Sequence, residues 1–238
     1  MTDSNDLALI TGATRGLGLV AARRLAEQGL TVLLGARDLD RGTQAAEAMG
    51  DGLAVRPIAL DVTDDASVAA AAATVEREHG RLDVLVNNAG ITGPLVSVEE
   101  TGPDELRETY ETNVIAPVRM TRAFLPLLRR AEHPRVVMVS SGLGSFAITS
   151  DPDRVESTVH SLTYTSSKAA LGMIGTQYAR AVPELLVTVV DPGYTATDLN
   201  GHSGPQTVEE GTDAMGAAAL DTTGPSGRFL DRHGVVPW

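Results

Sequence analysis

The sequence predicts an α/β fold in which helices cover both faces of a doubly wound parallel sheet. Short, nearly continuous apolar runs such as Val-Leu-Leu and Val-Val-Met-Val alternate with longer, alanine-rich amphipathic stretches. Strands that are covered on both faces need apolar side chains at nearly every position, and strands that alternate with helices indicate parallel crossover connections. A third observation is that glycines and polar residues follow several of the apolar runs, where ligands bind in such sheets.

Six apolar runs are the predicted strands, and they cover residues 7–11, 31–35, 53–60, 83–87, 135–140 and 186–190. Five stretches between them are the predicted helices, at residues 17–28, 39–49, 64–78, 103–130 (with an interruption) and 163–181. Thr63 or Asp64 is the expected N-cap of the third helix, and Gly80 is its expected C-terminal stop. No repeat, low-complexity segment or linker divides the chain, so we expect residues 1–238 to form a single domain.

Composition and charge exclude several classes of protein. The 238 residues contain no cysteine, which excludes disulfides and thiolate chemistry, and the formal net charge of −12 disfavours binding to nucleic acids and anionic membranes. The polar first residues lack the order of a signal peptide, and no apolar stretch is long enough to span a membrane. We therefore expect a soluble cytoplasmic protein.

Of its nineteen basic residues only Lys168 is a lysine, so this position calls for a chemical explanation unless arginine bias alone produced it.

A glycine-rich turn follows the first predicted strand. Residues 11–18 read Thr-Gly-Ala-Thr-Arg-Gly-Leu-Gly, so Gly12, Gly16 and Gly18 are spaced as Gly-x-x-x-Gly-x-Gly. Glycines there allow a tight turn and a close approach of the backbone to a pyrophosphate at the N-terminus of the next helix. The same triad fits a purely structural turn, but its place after the first strand favours dinucleotide binding. The other candidate contacts in this loop are Thr14, Arg15 and Leu17.

The residues after the second predicted strand indicate the form of the dinucleotide. Many NAD-binding units place an acidic residue there, which accepts a hydrogen bond from the adenosine ribose. Here Ala36 holds that place and Arg37 follows it, while Arg15 could approach the same corner. Guanidinium groups bind a 2′-phosphate well, so the sequence predicts NADP(H) as cofactor. The alternative is that Arg37 is a solvated surface residue whose partner is Asp38.

Four motifs occur in the order in which one protein family carries them. They are the glycine pattern, Asp61-Val62 after the third strand, Asn87-Asn88-Ala89-Gly90 after the fourth, and Tyr164-x-x-x-Lys168. Together they resemble the short-chain dehydrogenase/reductases over almost the whole chain, which implies a Rossmann-type domain that both binds the cofactor and carries the active site. The resemblance implies that Asp61 and Val62 flank the adenine and that Asn88, Ala89 and Gly90 line the cofactor cleft. It also implies nicotinamide-side contacts from Pro192, Gly193, Thr195 and Thr197.

Tyr164 and Lys168 are four residues apart on a predicted helix and therefore share one face. An adjacent ammonium, together with the positive nicotinamide of an oxidised cofactor, favours the phenolate, so we expect the pKa of Tyr164 to lie below its usual value of about 10. Lys168 would also hold the nicotinamide ribose. Because any helix can carry this spacing, an exposed pair of negligible energy is the alternative.

The family pattern assigns two more catalytic residues. Ser141 matches the serine that points at the substrate carbonyl, where its hydroxyl would donate to developing oxyanion charge, and Ser140 would be directed elsewhere. Asn113 matches the family's helix asparagine, which would hold a water between the lysine and solvent. The five histidines are dispersed along the chain, so no metal site is expected.

The resemblance implies NADPH-dependent reduction of a small-molecule ketone or aldehyde, with Tyr164 as proton donor. Several segments are similar to the carbonyl-reductase branch, namely residues 36–38, 207–211 and 224–230 and the final Pro237-Trp238. Only 23 positions separate Ser141 from Tyr164, which leaves room for a short insertion where that branch often has a longer one. The branch's substrate range and its tendency toward monomers therefore do not transfer directly, and a monomer, dimer or tetramer remains open.

Three alternative functions stay open at this point. They are a ketoacyl-thioester reductase, an alcohol dehydrogenase working oxidatively, and a non-catalytic dinucleotide-sensing protein. The charge of −12 argues against the first, which needs a basic docking surface, although Arg129-Arg130 could form a local patch. The complete catalytic set argues against the last. Residues 142–162 and 194–211 are the expected pocket wall, with 198–211 as the substrate loop and Tyr194 and Leu199 as pocket residues.

Overall fold

The computed structural model describes residues 6–94 and 96–238, and the strands within these ranges form one sheet. The strands are β1 (Leu7–Ile10), β2 (Thr31–Ala36), β3 (Val55–Ala59), β4 (Val84–Asn87), β5 (Arg135–Val139), β6 (Leu186–Val190), β7 (Arg228–Asp231) and β8 (Gly234–Val235). Their order across the sheet is β3-β2-β1-β4-β5-β6-β7-β8. Strands β1 to β7 are parallel, and β8 pairs with β7 in the antiparallel sense. The sheet is doubly wound, since the chain runs outward from β1 to β3 and then crosses to β4.

The helices connect successive strands. They are α1 (Gly16–Glu27), α2 (Leu39–Glu47), α3 (Asp65–His79), α4 (Pro103–Tyr110), α5 (Ala116–Leu128), α6 (Phe146–Thr149), α7 (Leu162–Ala181), α8 (Val208–Gly211) and α9 (Asp213–Leu220). A π-helical turn at Glu111–Ile115 joins α4 to α5, and short 3₁₀ turns occur at Gly142–Gly144, Val155–Thr158 and Asp198–Asn200. Among the described residues, no helix combines the length and the apolar character needed to cross a bilayer.

Two apolar layers hold these helices against opposite faces of the sheet. Neighbouring residues of a strand point to opposite faces, so Leu9 belongs to one buried cluster and Ile10 to the other. The Leu9 layer contains Phe124 of α5, and the Ile10 layer contains Leu25 of α1 and Met215 of α9. All five side chains are buried. Burial on both faces explains the nearly continuous apolar strands, and the predicted fold class is confirmed.

The interruption expected in the predicted helix at residues 103–130 is the π turn, and the helix ends at Leu128, two residues earlier than predicted. The third strand begins at Val55 rather than at residue 53. Pro57 lies within this strand and removes a backbone donor, which an edge strand such as β3 tolerates.

The ends of α3 are set by its flanking residues. Asp64, rather than Thr63, is the N-cap, since its carboxylate accepts a hydrogen bond from the amide of Ala66 at 2.8 Å. Gly80 ends the helix in the left-handed conformation, with a φ of 75°.

Strands β7 and β8 and helix α9 were not among the predicted elements. Strand β8 has only two residues, both exposed, so it is too short to show an alternation of apolar and polar residues. The sequence of α9 is nearly uniformly small and apolar, so its buried face cannot be recognised from alternation with polar residues. These elements lie at the far edge of the sheet or on its face, and they do not alter the edge where the parallel strands end.

Candidate active site

A cleft of about 380 Å³ runs along the carboxyl ends of the parallel strands, where ligands bind in doubly wound sheets. Most of the candidate residues line it, namely Gly12, Thr14, Arg15, Gly16, Leu17, Gly18, Arg37, Asp61, Val62, Asn88, Ala89, Gly90, Tyr164, Lys168, Pro192 and Thr197. Gly193 and Thr195 lie in the segment between Pro192 and Thr197 but do not contribute to the wall. Asn113 and Ser141 do not contribute to it either, although their chain neighbours Thr112 and Ser140 do.

The glycine loop packs too tightly for side chains. Gly12 adopts a φ of 62°, which favours glycine. A Cβ on Gly18 would lie 2.5 Å from Asn88 Nδ2 and 2.7 Å from the carbonyl oxygen of Gly12, so α1 can begin this close to the loop only with glycine there. The hydroxyl of Thr11 accepts hydrogen bonds from the amides of Asn88 and Ala89, both at 2.9 Å. The ends of β1 and β4 are thereby joined into one floor of the cleft.

The adenosine side of the cleft carries two arginines. Arg37 is exposed at the end of β2, and among the described residues its guanidinium forms no hydrogen bond or ion pair. Asp38 does not pair with it. Instead Asp38 caps α2, accepting a hydrogen bond from the amide of Arg41 at 3.2 Å, and its carboxylate lies 3.4 Å from the Arg41 side chain. The alternative in which Arg37 pairs with Asp38 is therefore not observed. Arg41 also lines the cleft. Arg41 was not among the predicted contacts, although its position in the first turn of α2 could have indicated it.

Asp61 is fixed by the turn that follows β3. Its Oδ1 accepts hydrogen bonds from the amide of Thr63 at 2.9 Å and from the Thr63 hydroxyl at 2.7 Å. Partial burial raises the pKa of this carboxyl, but the Thr63 hydrogen bonds and the positive charge of Arg37 outweigh burial and hold the pKa below its usual value. Asp61 is thus an anchored anion next to Val62, the other expected adenine contact.

Arg15 lines the cleft and its side chain pairs with an acidic residue of the predicted substrate loop. Its Nη1 forms an ion pair with Asp198 at 3.1 Å, and the same carboxylate lies 2.9 Å from His202 Nε2. Arg15 therefore joins the glycine loop to the segment predicted as the substrate loop. Leu199 of that segment lines the cleft, whereas Tyr194, which is exposed, does not.

Tyr164 and Lys168 face the cleft from the first turns of α7, which begins after the N-cap Ser161. The Nζ of Lys168 lies 5.6 Å from the centroid of the Tyr164 ring and donates a hydrogen bond to the carbonyl oxygen of Val139 at 2.8 Å. Lys168 is only 4% exposed. The two residues are therefore not an exposed surface pair.

Burial sets the protonation of this pair. It lowers the pKa of Lys168 to about 8, against the negative charge of Asp191, which raises it. Burial also raises the pKa of Tyr164 to about 12, although a hydrogen bond with Ser141 lowers it. The expected lowering of the phenol's pKa by Lys168 is not found in the described molecule, because desolvation of the phenolate is the larger effect. Tyr164 is consequently a phenol at neutral pH.

The two serines after β5 point in different directions. Ser141 hydrogen-bonds Tyr164 and accepts a hydrogen bond from the amide of Leu143 at 3.2 Å. Ser140 donates to the backbone carbonyl of Lys168 at 2.9 Å and is buried. One serine thus joins the catalytic candidates, while its neighbour fixes α7 against the end of the strand.

Asn113 lies within the π turn and is 1% exposed. Its Nδ2 donates to the carbonyl oxygen of Ile91 at 2.8 Å and to Ser167 Oγ at 3.0 Å, and its Oδ1 accepts from the amide of Ile91 at 2.9 Å. A Cβ on Gly90 would lie 3.4 Å from Asn113 Oδ1 and 3.5 Å from Lys168 Nζ, so both polar groups flank this glycine. Single π turns within helices often occur at functional sites.

The segment after β6 is held by its own backbone. Thr195 is buried, and its hydroxyl donates to the carbonyl oxygen of Pro192 at 3.0 Å. The side chain of Thr197 approaches the glycine loop, where a Cβ on Gly16 would lie 3.8 Å from its Cγ2. A bridge between Thr195 and Gln206 closes the following loop.

Comparison with known proteins gives concordant results. The family model for short chain dehydrogenases matches residues 6–207. The chain is 33% identical to a (+)-neomenthol dehydrogenase of Arabidopsis thaliana over 285 aligned positions, which cover 96% of each protein. It is 28% identical to a salutaridine reductase of Papaver somniferum, over 94% of this chain and 93% of that protein. An NADPH-bound carbonyl reductase from chicken fatty liver has a similar structure, with a TM-score of 0.87, 27% identity and coverage of 98% and 99%.

Proposed function

The chain belongs to the short-chain dehydrogenase/reductase family and is an oxidoreductase, and from that premise we propose that it reduces a ketone or aldehyde to an alcohol with NADPH. One observation carries the proposal. Tyr164 lines the cleft and is hydrogen-bonded to Ser141, with the buried ammonium of Lys168 one helical turn away. A protein that only binds a dinucleotide has no need for a proton donor placed in this way.

The cleft fits an NADP(H) molecule in both shape and charge. Gly12 and Gly18 leave a backbone cradle that a Cβ would fill, and the N-terminus of α1 favours a pyrophosphate. At the adenosine end, Arg37 offers a guanidinium without a hydrogen-bonding partner in the described part of the chain. Such a group binds a 2′-phosphate through charge-assisted hydrogen bonds. We therefore assign Arg37, with Arg41 beside it, to the 2′-phosphate.

The chemistry that the dinucleotide supplies when bound is hydride transfer at its nicotinamide. The chain's own residues handle the carbonyl oxygen and its proton. Ser141 donates a hydrogen bond to this oxygen, and the phenol of Tyr164 gives it a proton. Lys168 stabilises the phenolate that is left, and Asn113 holds the backbone at Ile91 beside this lysine. The product is an alcohol, and the same groups serve the reverse direction.

The raised pKa of Tyr164 keeps its phenol protonated near neutral pH, as proton donation to a carbonyl oxygen requires. A phenol with a pKa of about 12 is protonated there and can donate, whereas an oxidative reaction needs the phenolate as base. The ion pairs of Arg129 and Arg130 weigh against the ketoacyl-thioester alternative, for which these residues were the candidate basic docking patch. Arg129 pairs with Glu184 at 2.8 Å and Arg130 with Glu76 at 2.7 Å, so their charges are already partly compensated.

The experiment is an NADPH-oxidation screen over ketones, aldehydes, quinones and ketoesters, with the Tyr164→Phe variant as the background. We expect turnover of at least one carbonyl class by the wild-type enzyme and none by the variant. NADPH binding by both proteins, with no turnover above the variant for any compound, would instead favour the dinucleotide-sensing alternative.

A further inference from the structure

A buried carboxylate lies next to the catalytic residues, and the mechanism above does not use it. Asp191 is the first residue after β6 and is 8% exposed. Its Oδ1 accepts a hydrogen bond from the amide of Gly193 at 2.9 Å, and the carboxylate also accepts one from the amide of Gly142. Burying a carboxylate costs free energy unless it is hydrogen-bonded, so these two amides account for its place. The backbone of Asp191 is held as well, since its amide donates to the carbonyl oxygen of Leu230 at 2.8 Å.

The two amides belong to the two loops that frame the reacting end of the cleft. Gly142 directly follows Ser141, and Gly193 lies in the segment that leads to Thr197. Both loops have glycine where they meet the carboxylate. A Cβ on Gly142 would lie 2.9 Å from Asp191 Oδ2, and Gly193 has a φ of 74°. The backbone at Gly142 is therefore shaped around this side chain, whereas the space beside Gly193 is filled by the side chain of Gln206.

The charge of Asp191 also reaches the catalytic pair. It raises the pKa of Lys168 against the lowering by burial, and it raises the pKa of Tyr164 in addition to burial. Asp191 itself is faced by Glu156 and Asp231, whose negative charges add to burial in raising its own pKa, whereas its hydrogen bonds lower that pKa. Arg154, a cation whose charge also interacts with Asp191, is bound by Glu156 at 3.0 Å.

We propose that Asp191 is a positioning residue, which ties the loop of Ser141 to the nicotinamide-side segment and supplies the negative charge that keeps Lys168 protonated. The inference rests on the proposed function, since it concerns the same reaction. The negative charge of Asp191 would explain how this buried site can hold the ammonium of Lys168 at neutral pH. Lys168 donates to one neutral carbonyl group, that of Val139, and Asp191 is the anion whose charge acts on it.

The test compares Asp191→Asn with Asp231→Asn. Asparagine keeps the size of the side chain but removes the charge and places an N–H donor against one of the two backbone amides. Asp231 is a matched control, because its carboxylate also lies near Asp191 but, in the part of the chain that the structure describes, accepts hydrogen bonds only from the amides of His233 and Gly234 in the β7–β8 turn. Each variant is assayed for kcat and KM from pH 6 to pH 10, for NADPH binding and for thermal unfolding.

We expect Asp191→Asn to lower kcat on the order of tenfold to a hundredfold, since small displacements of catalytic groups are costly. NADPH binding should change much less, because the adenosine side is untouched. The pH above which reduction fails should also move downward, since Lys168 loses its proton more easily without the anion. Asp231→Asn should retain the wild-type kcat and pH profile.

An Asp191→Asn enzyme with the wild-type pH profile would overturn the inference, whatever its stability, because a merely structural role would leave that profile in place.

Failure of the proposed function can be recognised separately. If the wild-type protein turns over no carbonyl compound, that function fails, and the inference is then judged on amide hydrogen exchange. The amides of Gly142 and Gly193 should exchange at least tenfold faster in Asp191→Asn than in Asp231→Asn, as expected for loss of a shared acceptor. Equal exchange in the two variants would show that the carboxylate does not hold the loops together.

Discussion

The ammonium of Lys168 donates a hydrogen bond to the carbonyl oxygen of Val139, the last residue of β5, at a distance of 2.8 Å. The side chain thus reaches from α7 to the end of the strand that carries Ser140 and Ser141. Ser140 returns the contact by donating to the backbone carbonyl of Lys168 at 2.9 Å. These two bonds hold the helix and the strand end together, so the position of Lys168 does not depend on Tyr164 alone.

This burial has a measurable effect on stability. The pKa of Lys168 is about 8 in the folded protein and 10.5 for the free side chain, so between these values the unfolded chain binds more protons. The free energy of unfolding of the wild type, relative to Lys168→Met, should therefore rise by about 2 kcal/mol between pH 8 and pH 10. Below about pH 7 the difference should be nearly constant, because Lys168 is then protonated in both states. Denaturant unfolding at several pH values measures it.

The methionine variant serves as the internal reference, because groups that do not interact with Lys168 titrate alike in both proteins, and Asp191, which does interact with it, is expected to titrate at lower pH. Above pH 10, Tyr164 acts in the opposite direction, since its folded-state pKa of about 12 exceeds the usual 10.0. A difference that stays flat or falls between pH 8 and pH 10 would contradict the lowered pKa of Lys168.

Arg37 should decide which cofactor is used. We expect Arg37→Asp to lower kcat/KM for NADPH by roughly 30-fold, as loss of about 2 kcal/mol from a charge-assisted hydrogen bond implies, and to spare NADH. Initial rates with the two cofactors measure the ratio. Arg77→Asp is the control, since Arg77 is an exposed arginine of α3 that does not line the cleft. Equal kcat/KM of the wild-type enzyme for NADPH and NADH would refute the assignment of the 2′-phosphate site.

Much of this site could be predicted because its motifs follow strands. Parallel strands bring their carboxyl ends to one edge, so the loop at Gly12, the turn at Asp61 and the segment at Asn88 had to meet once the strands were recognised. Helical spacing similarly placed Tyr164 and Lys168 on one face. These inferences need only the order of the elements and the periodicity of each.

Other features depend on distances that no local pattern encodes. Arg15 forms an ion pair with Asp198, 183 residues away in the sequence. The pKa of Tyr164 rises because the depth of burial outweighs the nearby ammonium, and depth is a tertiary property. Asp191 was not predicted, because a single acidic residue after a strand has no second residue at a characteristic spacing that would mark a motif. Its partners are two backbone amides, which every sequence contains.

The close packing at Gly18 gives a further prediction, this time on folding and cofactor binding. A Cβ there would meet Asn88 Nδ2 at 2.5 Å, so Gly18→Ala should lower the free energy of unfolding by about 1–3 kcal/mol and weaken NADPH binding. Gly216→Ala is the control. Gly216 lies within α9 with no atom within 4 Å of the added Cβ, and alanine there should be neutral or stabilising by up to about 1 kcal/mol. Thermal unfolding and NADPH titration of both variants measure this, and equal behaviour would mean that the loop can relax.

The last prediction concerns the proton donor and its lysine together. Tyr164→Phe should abolish turnover and leave NADPH binding nearly unchanged, since it removes the donor and little of the cleft wall. Tyr178→Phe, on the same helix and half-buried, should stay close to the wild-type rate. Lys168→Arg keeps the positive charge, but a guanidinium is too broad for a site where Nζ lies 2.8 Å from the carbonyl oxygen of Val139 and close to the backbone of Gly90. Turnover should fall by on the order of a hundredfold or more. Because a surface cation would tolerate the exchange, near-wild-type rates in Lys168→Arg and Tyr164→Phe would overturn the catalytic assignment of both residues.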